Sequence, residues 1–268
     1  MFIVNREEAV LRELNLYPLW QRRVQPALAE PASPATPVTV ESKTPSWERP
    51  PDRDAQDAEA DQIAAQQVTA TIENRGREAT PTKISELDWP ELKAMVRDCT
   101  ACKLRAGCTQ TVFGVGDEKA SWLFVGEGPG ADEDAQGEPF VGQEGKLLDN
   151  MLMAIKLKRG KDVYIGNIVK CRPPGNRTPE ADEIATCLPY LQRQIALIQP
   201  KIIVALGKTA ATALLGTDAT LASLRGRLHD YHGIPLIITY HPAYLLRTPA
   251  DKAKAWQDLC LAVKTRES

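Results

Sequence analysis

The sequence predicts an α/β domain of three layers, α/β/α, built on a central, mostly parallel four-stranded sheet and preceded by a disordered N-terminal linker. Three observations carry that prediction. Four short runs, 122–125, 163–169, 201–205 and 236–239, are almost wholly apolar, as strands covered on both faces are. Helix-length segments lie after each run, and such alternation indicates parallel strands joined by crossovers. Upstream, Pro26, Pro31, Pro34, Pro37, Pro45, Pro50, Pro51 and Pro81 punctuate a stretch of Ala, Thr, Glu and Asp. So few large apolar groups cannot offset the entropy of ordering that stretch.

Taken in order, residues 6–23 pattern as a short amphipathic helix through Ala9, Val10, Leu11, Leu14, Leu16, Leu19 and Trp20. Residues 1–24 are therefore set apart as a peptide, 25–84 as linker and 85–268 as the folded domain. Asp88 caps a helix through Trp89, Leu92, Met95 and Val96 that runs into Cys99. After the first strand, residues 126–142 read as a long polar loop interrupted by glycine, a length that in a compact domain marks function. A helix follows over 146–157. Thr178 as cap, Pro179 at the first helical position and Glu180 in the first turn open a long helix to Gln199. Helices over 209–215 and 251–264 complete the alternation.

Composition narrows the function class. The 268 residues carry a net charge of −2. Residues 1–81 hold 9 basic and 13 acidic side chains, and residues 82–268 hold 24 and 22. The folded part is mildly basic, which permits contact with phosphates without demanding it. No apolar run approaches the ~20 residues that span a bilayer, and the first residues lack the basic-then-apolar order of a secretory signal. A cytoplasmic protein with no membrane contact is expected. In that reducing compartment six cysteines read as metal ligands and spare thiols rather than disulfides.

The cysteines fall as Cys99-Thr-Ala-Cys102, Cys171 in Val-Lys-Cys-Arg-Pro-Pro, and Cys187 inside a predicted helix. Four thiolates that converge in space hold either zinc or an iron–sulfur cluster. Zinc ribbons usually show two close pairs, and the separation of Cys171 from Cys187 favours a cluster. Cys108 is near enough in sequence to substitute, while Cys260 reads as buried and inert. Two polar loops complete the candidate chemistry, Gly126-Glu-Gly-Pro-Gly130 and His241-Pro-Ala-Tyr-Leu-Leu-Arg247. Glu127 follows the first strand, Asn167 closes the second and His241 follows the fourth, all at carboxyl ends where such sheets bind ligands. His229 and His232 read as structural.

Together these segments resemble the family 4, iron–sulfur uracil-DNA glycosylases, here of a bacterial type with an N-terminal extension. The residues that carry the resemblance are Gly126-Glu-Gly-Pro-Gly130 with Gly137-Glu-Pro-Phe-Val-Gly142, Asn167-Ile-Val-Lys-Cys-Arg-Pro-Pro-Gly-Asn-Arg-Thr-Pro179, and His241 to Arg247. The resemblance covers about residues 86–266. It implies a [4Fe–4S] cluster on Cys99, Cys102, Cys171 and Cys187, structural and away from the reacting base, and a monomer acting on uracil-containing DNA. The branch that traps uracil covalently has a basic, histidine-containing insertion where this chain has Pro173-Pro-Gly-Asn-Arg-Thr178. Hydrolysis with turnover is therefore expected.

That chemistry assigns roles. A uracil inside a duplex must be flipped into a pocket, where Phe140 would stack on it. The Asn167 amide complements the O4 and N3–H edge of uracil, which cytosine reverses. His241 would stabilise charge developing at uracil O2. Glu127 is the candidate for directing water, with Glu133 as helper. The backbone at Gly128 and Gly130 would approach the base or a phosphate. Leu245 or Leu246 would fill the vacated stack, and Arg247 would meet phosphate, with Lys170, Arg172 and Arg177 in support.

A different class fits some of the same residues: a non-catalytic nucleic-acid-binding module with a structural four-cysteine metal site. It separates from the enzyme on whether Glu127, Asn167 and His241 converge. The N-terminal peptide weakly resembles the segment by which the psi subunit of bacterial DNA polymerase III binds its chi partner. A replication or repair protein bound through residues 1–24 is the corresponding expectation, and pull-down with a 1–30 peptide tests it.

Overall fold

Residues that alternate along the strands sort onto opposite faces of one sheet. The computed structural model describes residues 84–267; the predicted peptide 1–24 and all but the end of the linker lie outside them. Six strands are present: β1 (Val115–Gly116), β2 (Trp122–Gly126), β3 (Val163–Asn167), β4 (Ile202–Leu206), β5 (Leu228–Tyr231) and β6 (Ile234–Thr239). Their order is β1-β3-β2-β4-β6-β5. The inner four, β3-β2-β4-β6, are the four predicted from sequence, and all pair in parallel. Two short antiparallel edges, β1 and β5, were not predicted. The first has only two residues, and the second is largely exposed, so neither offers an apolar run. β5 and β6 join through His232 (φ +51) and Gly233 (φ +85), a turn with both central residues left-handed, which suits a tight hairpin.

Leu123, Val125, Ile203, Ala205, Leu236 and Ile238 face one core, and Trp122, Phe124, Ile202, Val204 and Ile237 face the other. Every residue of β2, β3 and β4 is buried. Each Val, Leu, Ile and Phe among them contributes about 1.5–3 kcal/mol by leaving water, which explains the continuous apolar runs. The first core is covered by α1 (Trp89–Arg97), α4 (Ala181–Ile198) and α5 (Lys208–Leu215), the second by α3 (Gly142–Ala154) and α8 (Lys252–Glu267). Short helices α2 (Ala131–Gln136), α6 (Leu221–Leu224) and α7 (Pro242–Arg247) lie in the connections.

Helix boundaries moved where a side chain did something its type did not announce. Asp88 caps α1 as predicted, in a reciprocal pair with Glu91 at 2.9 and 3.0 Å. α3 begins four residues before its predicted start, because Gly142 and Gly145 are used as close-packing sites rather than breakers; a methyl group at Gly145 would collide with the Phe140 carbonyl. α4 begins at Ala181, not after Thr178. Glu180 is its N-cap residue, with its N–H bonded to Glu183 at 2.7 Å. The supposed loop 126–142 contains α2. Among the described residues no helix is long and apolar enough to cross a membrane.

Candidate active site

The four parallel strands end on one edge, and each delivers a residue there: Gly126 at the end of β2 with Glu127 after it, Asn167 at the end of β3, Gly207 to Thr209 after β4, and His241 after β6. The site starts from an absence. Gly126 is paired in register with Asn167, and a Cβ on it would sit 2.5 Å from both the Phe140 ring and Asn167 Oδ1. Only glycine leaves room for those side chains to meet there. Phe140 is held at φ +54, unusual for a bulky residue, and the surroundings fix it. Arg159 donates to the carbonyls of Pro139 (2.9 Å) and Phe140 (2.8 Å) and is itself braced by Asp149 at 2.9 Å. Nothing in the sequence around Arg159 announces that clamp.

Asn167 is 2 % exposed, and its Oδ1 is buried with no hydrogen-bond partner. Native interiors rarely leave such an acceptor unmatched, so its orphaned state marks a place for a donor. The Phe140 ring lies 5.4 Å from the His241 ring, inclined at 33°. His241 caps α7, its Nδ1 accepting from the Ala243 N–H at 3.2 Å. That bond places the proton of a neutral ring on Nε2. Burial, and secondarily the charge of Arg247, lowers the imidazole from 6.5 to about 4, so the neutral ring is the form present near pH 7. Glu144 stands 3.9 Å from Nδ1. Burial raises its carboxyl, and the neighbouring Glu133 adds to that.

Glu127 is half-buried, which raises its carboxyl above the ordinary range; a bond from Thr209 Oγ1 to Oε2, 2.5 Å long, acts in the opposite sense. Thr209 lies in the first turn of α5, so one carboxylate oxygen is fixed by the helix start. The triplet Gly207-Lys208-Thr209 directly after a strand was the available signal for this contact, and sequence reading passed over it.

On the other side of β3, Cys99, Cys102, Cys171 and Cys187 line one cavity with Tyr190 and Lys170. Two donors already address the sulfurs: Tyr190 Oη to Cys99 Sγ at 3.3 Å and the Lys170 N–H to Cys187 Sγ at 3.2 Å. Among the described residues no three His, Cys, Asp or Glu groups close around a single-ion position. Four thiols lining one cavity form the donor set of a thiolate-held metal centre, and hydrogen bonds to the sulfurs are how a protein tunes one. Burial raises the thiols of Cys102 and Cys171 and pushes Cys187 up to about 11, so loading metal must release protons. Cys108 bonds Cys171 but does not line the cavity.

The model of the Uracil DNA glycosylase superfamily matches residues 113–260, a span that holds Glu127, Phe140, Asn167 and His241. A type-4 uracil-DNA glycosylase of Pyrobaculum aerophilum is 42 % identical over 183 residues, 65 % of this chain and 93 % of that protein. The chain belongs to the type-4 uracil-DNA glycosylase family. A second type-4 uracil-DNA glycosylase, from Thermotoga maritima, is 45 % identical over 161 residues, 59 % of this chain and 83 % of that protein. A type-5 uracil-DNA glycosylase of Pyrobaculum aerophilum is more distant, at 38 % over 146 residues, 48 % of this chain and 64 % of that protein.

Against this family background, several expected residues stand elsewhere than anticipated. Leu245 is 1 % exposed and belongs to the core beneath the sheet, whereas Leu246 is 41 % exposed; of the two leucines only Leu246 is placed to leave the protein surface. α7 buries Pro242 and Leu245, three residues apart on one face, and that face cannot be read from a two-leucine pair in sequence. Arg247 is exposed beside it. Glu133 spends both oxygens on the backbone N–H groups of Gly130 (3.1 Å) and Val141 (2.9 Å), so it staples the loop carrying Phe140 rather than facing a substrate. At Gly128 a Cβ would come within 2.6 Å of Val169, which leaves its backbone free for the expected close approach. Lys170 is 1 % exposed and cannot meet a phosphate. Arg177 holds buried Glu183 through two bonds of 2.8 and 2.7 Å. Cys260 is exposed, not buried.

Proposed function

We propose that this chain hydrolyses the N-glycosidic bond of uracil in DNA, leaving an abasic site for base excision repair, with Asn167 reading the base. The carrying observation is the buried, unpartnered Oδ1 of Asn167 beside the Phe140 ring. Uracil supplies the missing donor at N3–H, and the amide N–H of Asn167 answers O4; cytosine presents an acceptor at position 3 and leaves Oδ1 orphaned. Phe140 is the shelf on which the flipped base stacks. His241, neutral and protonated on Nε2, donates to O2 as the N1–C1′ bond breaks and its electron pair moves onto the uracil ring. Glu127 orients the water whose oxygen bonds C1′ and takes its proton, while uracil departs with the N1–C1′ electron pair. Leu246 fills the gap in the stack and Arg247 meets the backbone phosphate.

The test is excision from a labelled oligonucleotide carrying one uracil, followed by alkaline cleavage at abasic sites. Cleavage at uracil and not at cytosine or thymine is expected. Folded protein that leaves every uracil intact would move the reading to a nucleic-acid-binding module.

The role of Glu127 carries its own expected result. Thr209→Val removes the hydroxyl that favours the ionised carboxylate, so burial acts unopposed and the carboxyl rises further. A base must be ionised to work, so the acid limb of the pH–rate profile moves to higher pH and the rate at a fixed pH on that limb falls about fivefold. Thr209→Ser keeps the donor and the wild-type limb. An unmoved limb in the valine variant would remove Glu127 from the water-directing role.

Cys99, Cys102, Cys171 and Cys187 are proposed to hold a [4Fe–4S] cluster. When bound, it supplies four covalent ties between the end of α1, the segment after β3 and α4, with no part in bond cleavage. Cys187→Ser is expected to lose the brown colour and most of the iron, and to melt several degrees lower because α4 is no longer tied to the strand end. Colour and melting temperature equal to wild type would refute that ligand. The enzyme is proposed to act in the cytoplasm as a monomer, with residues 1–24 docking on a replication or repair protein.

A further inference from the structure

We infer that Lys170 is a positioning residue that fixes Asn167 for base reading by bracing it from the cysteine-lined side of the sheet. The inference rests on the reading of Asn167 as the uracil-recognising residue. Lys170 is among the largest fully buried side chains of the fold. Its Nζ donates to the carbonyl oxygen of Asn167 at 2.9 Å and to Gln194 Oε1 at 2.7 Å. Both acceptors are neutral. Cys187, whose sulfur takes the Lys170 N–H, is the one neighbour whose ionised form favours the ammonium, so the two neutral acceptors fix where the buried amine points rather than neutralise it.

That geometry closes a frame around the end of β3. The Lys170 main chain is tied at both ends, its N–H to Cys187 Sγ at 3.2 Å and its carbonyl to the Val112 N–H at 2.7 Å. From this fixed base the side chain folds back three residues along its own chain onto Asn167. Gln194, on α4, is itself immobilised, its Nε2 shared between the Phe113 carbonyl (2.9 Å) and Tyr164 Oη (3.1 Å). The ammonium therefore ties the last residue of β3 to α4, the same helix that carries Cys187. An Asn amide that discriminates uracil from cytosine must not swing or shift, because rotation exchanges its donor and acceptor. Gly126 and Phe140 confine it from the pocket side, and Lys170 secures its backbone from behind.

The test uses full-length protein and compares wild type with Lys170→Met, which keeps an unbranched stem and removes the donors. Free uracil serves as a competitive inhibitor of excision from a single-uracil oligonucleotide, with KM, kcat, iron content and melting temperature measured alongside. The uracil inhibition constant and KM are expected to rise about tenfold, with a smaller change in kcat and wild-type iron content. A lower melting temperature with unchanged inhibition constant and KM would show a purely structural lysine and overturn the inference. Gln194→Met removes one of the two acceptors while leaving the lysine, and serves if Lys170→Met does not fold. A rise of about threefold in the same two constants is expected there, and no rise overturns the inference. Asn167→Ala separates the two ideas. Unchanged uracil inhibition in that variant defeats the reading of Asn167, whereas a loss there without one in Lys170→Met defeats only the brace.

Discussion

Replacing His241 with alanine is expected to lower kcat for uracil excision by about 10²–10³, the cost of removing one preorganised donor from a developing oxyanion, while KM changes little. The ring is already in its working form: Nδ1 is occupied by the Ala243 N–H, and burial holds the imidazole neutral down to about pH 4. A neutral donor needs no proton from solvent, so wild-type kcat carries no inflection near 6.5, the value of a free imidazole. His241→Asn retains an N-cap acceptor for α7 and separates the cap from the catalytic donor; alanine removes both, and the cap alone is worth about 1 kcal/mol. Stability follows the same protonation. Between pH 6.5 and about 4 the unfolded chain binds a proton that the folded ring refuses, so stability falls as pH drops through that window. The ceiling on that loss is on the order of 3 kcal/mol. An activity limb at 6.5 that disappears in His241→Ala would mean the imidazolium, not the neutral ring, does the work.

Gly126→Ala is expected to abolish the pocket while leaving the sheet. The added methyl group would lie 2.5 Å from both the Phe140 ring and Asn167 Oδ1, and 2.8 Å from a second ring carbon. Relief requires either side chain to retreat, and neither is free to do so. Phe140 is pinned by Arg159 through its carbonyl, and Asn167 ends a fully buried strand. Overpacking of this kind costs about 1–3 kcal/mol of stability, but displacement of the two groups that define the pocket reaches kcat/KM more severely, by about 10²-fold or more. Excision rates and melting curves on the same preparation measure both. An alanine variant within threefold of wild type would mean that Phe140 and Asn167 do not meet the base together.

Parts of this site were legible because their chemistry is local. Glu127, Asn167 and His241 each follow an apolar run, so a strand-end position could be assigned to each before any coordinates. The cysteine set was legible for a similar reason, since few uses exist for a close pair joined by two distant thiols in a reducing compartment. Other parts were not. Lys170 and Arg177 look like phosphate ligands in a basic, proline-containing segment, yet one is buried behind Asn167 and the other holds Glu183 at the start of α4. Sequence records their charge and not the side of the sheet they end on.

The four inner strands, their parallel pairing and the edge on which chemistry gathers were readable from the chain alone, because burial on both faces demands apolar runs and crossovers demand helices between them. Tertiary structure alone decided the rest. Leu246 rather than Leu245 faces outward because a helix turns neighbours about 100° apart. Glu133 became a loop staple because two backbone N–H groups came within its reach. Arg159 became the clamp on Phe140 although it lies 19 residues along the chain. Gly126 matters for the space it leaves, which exists only once β2, β3 and the loop bearing Phe140 have converged.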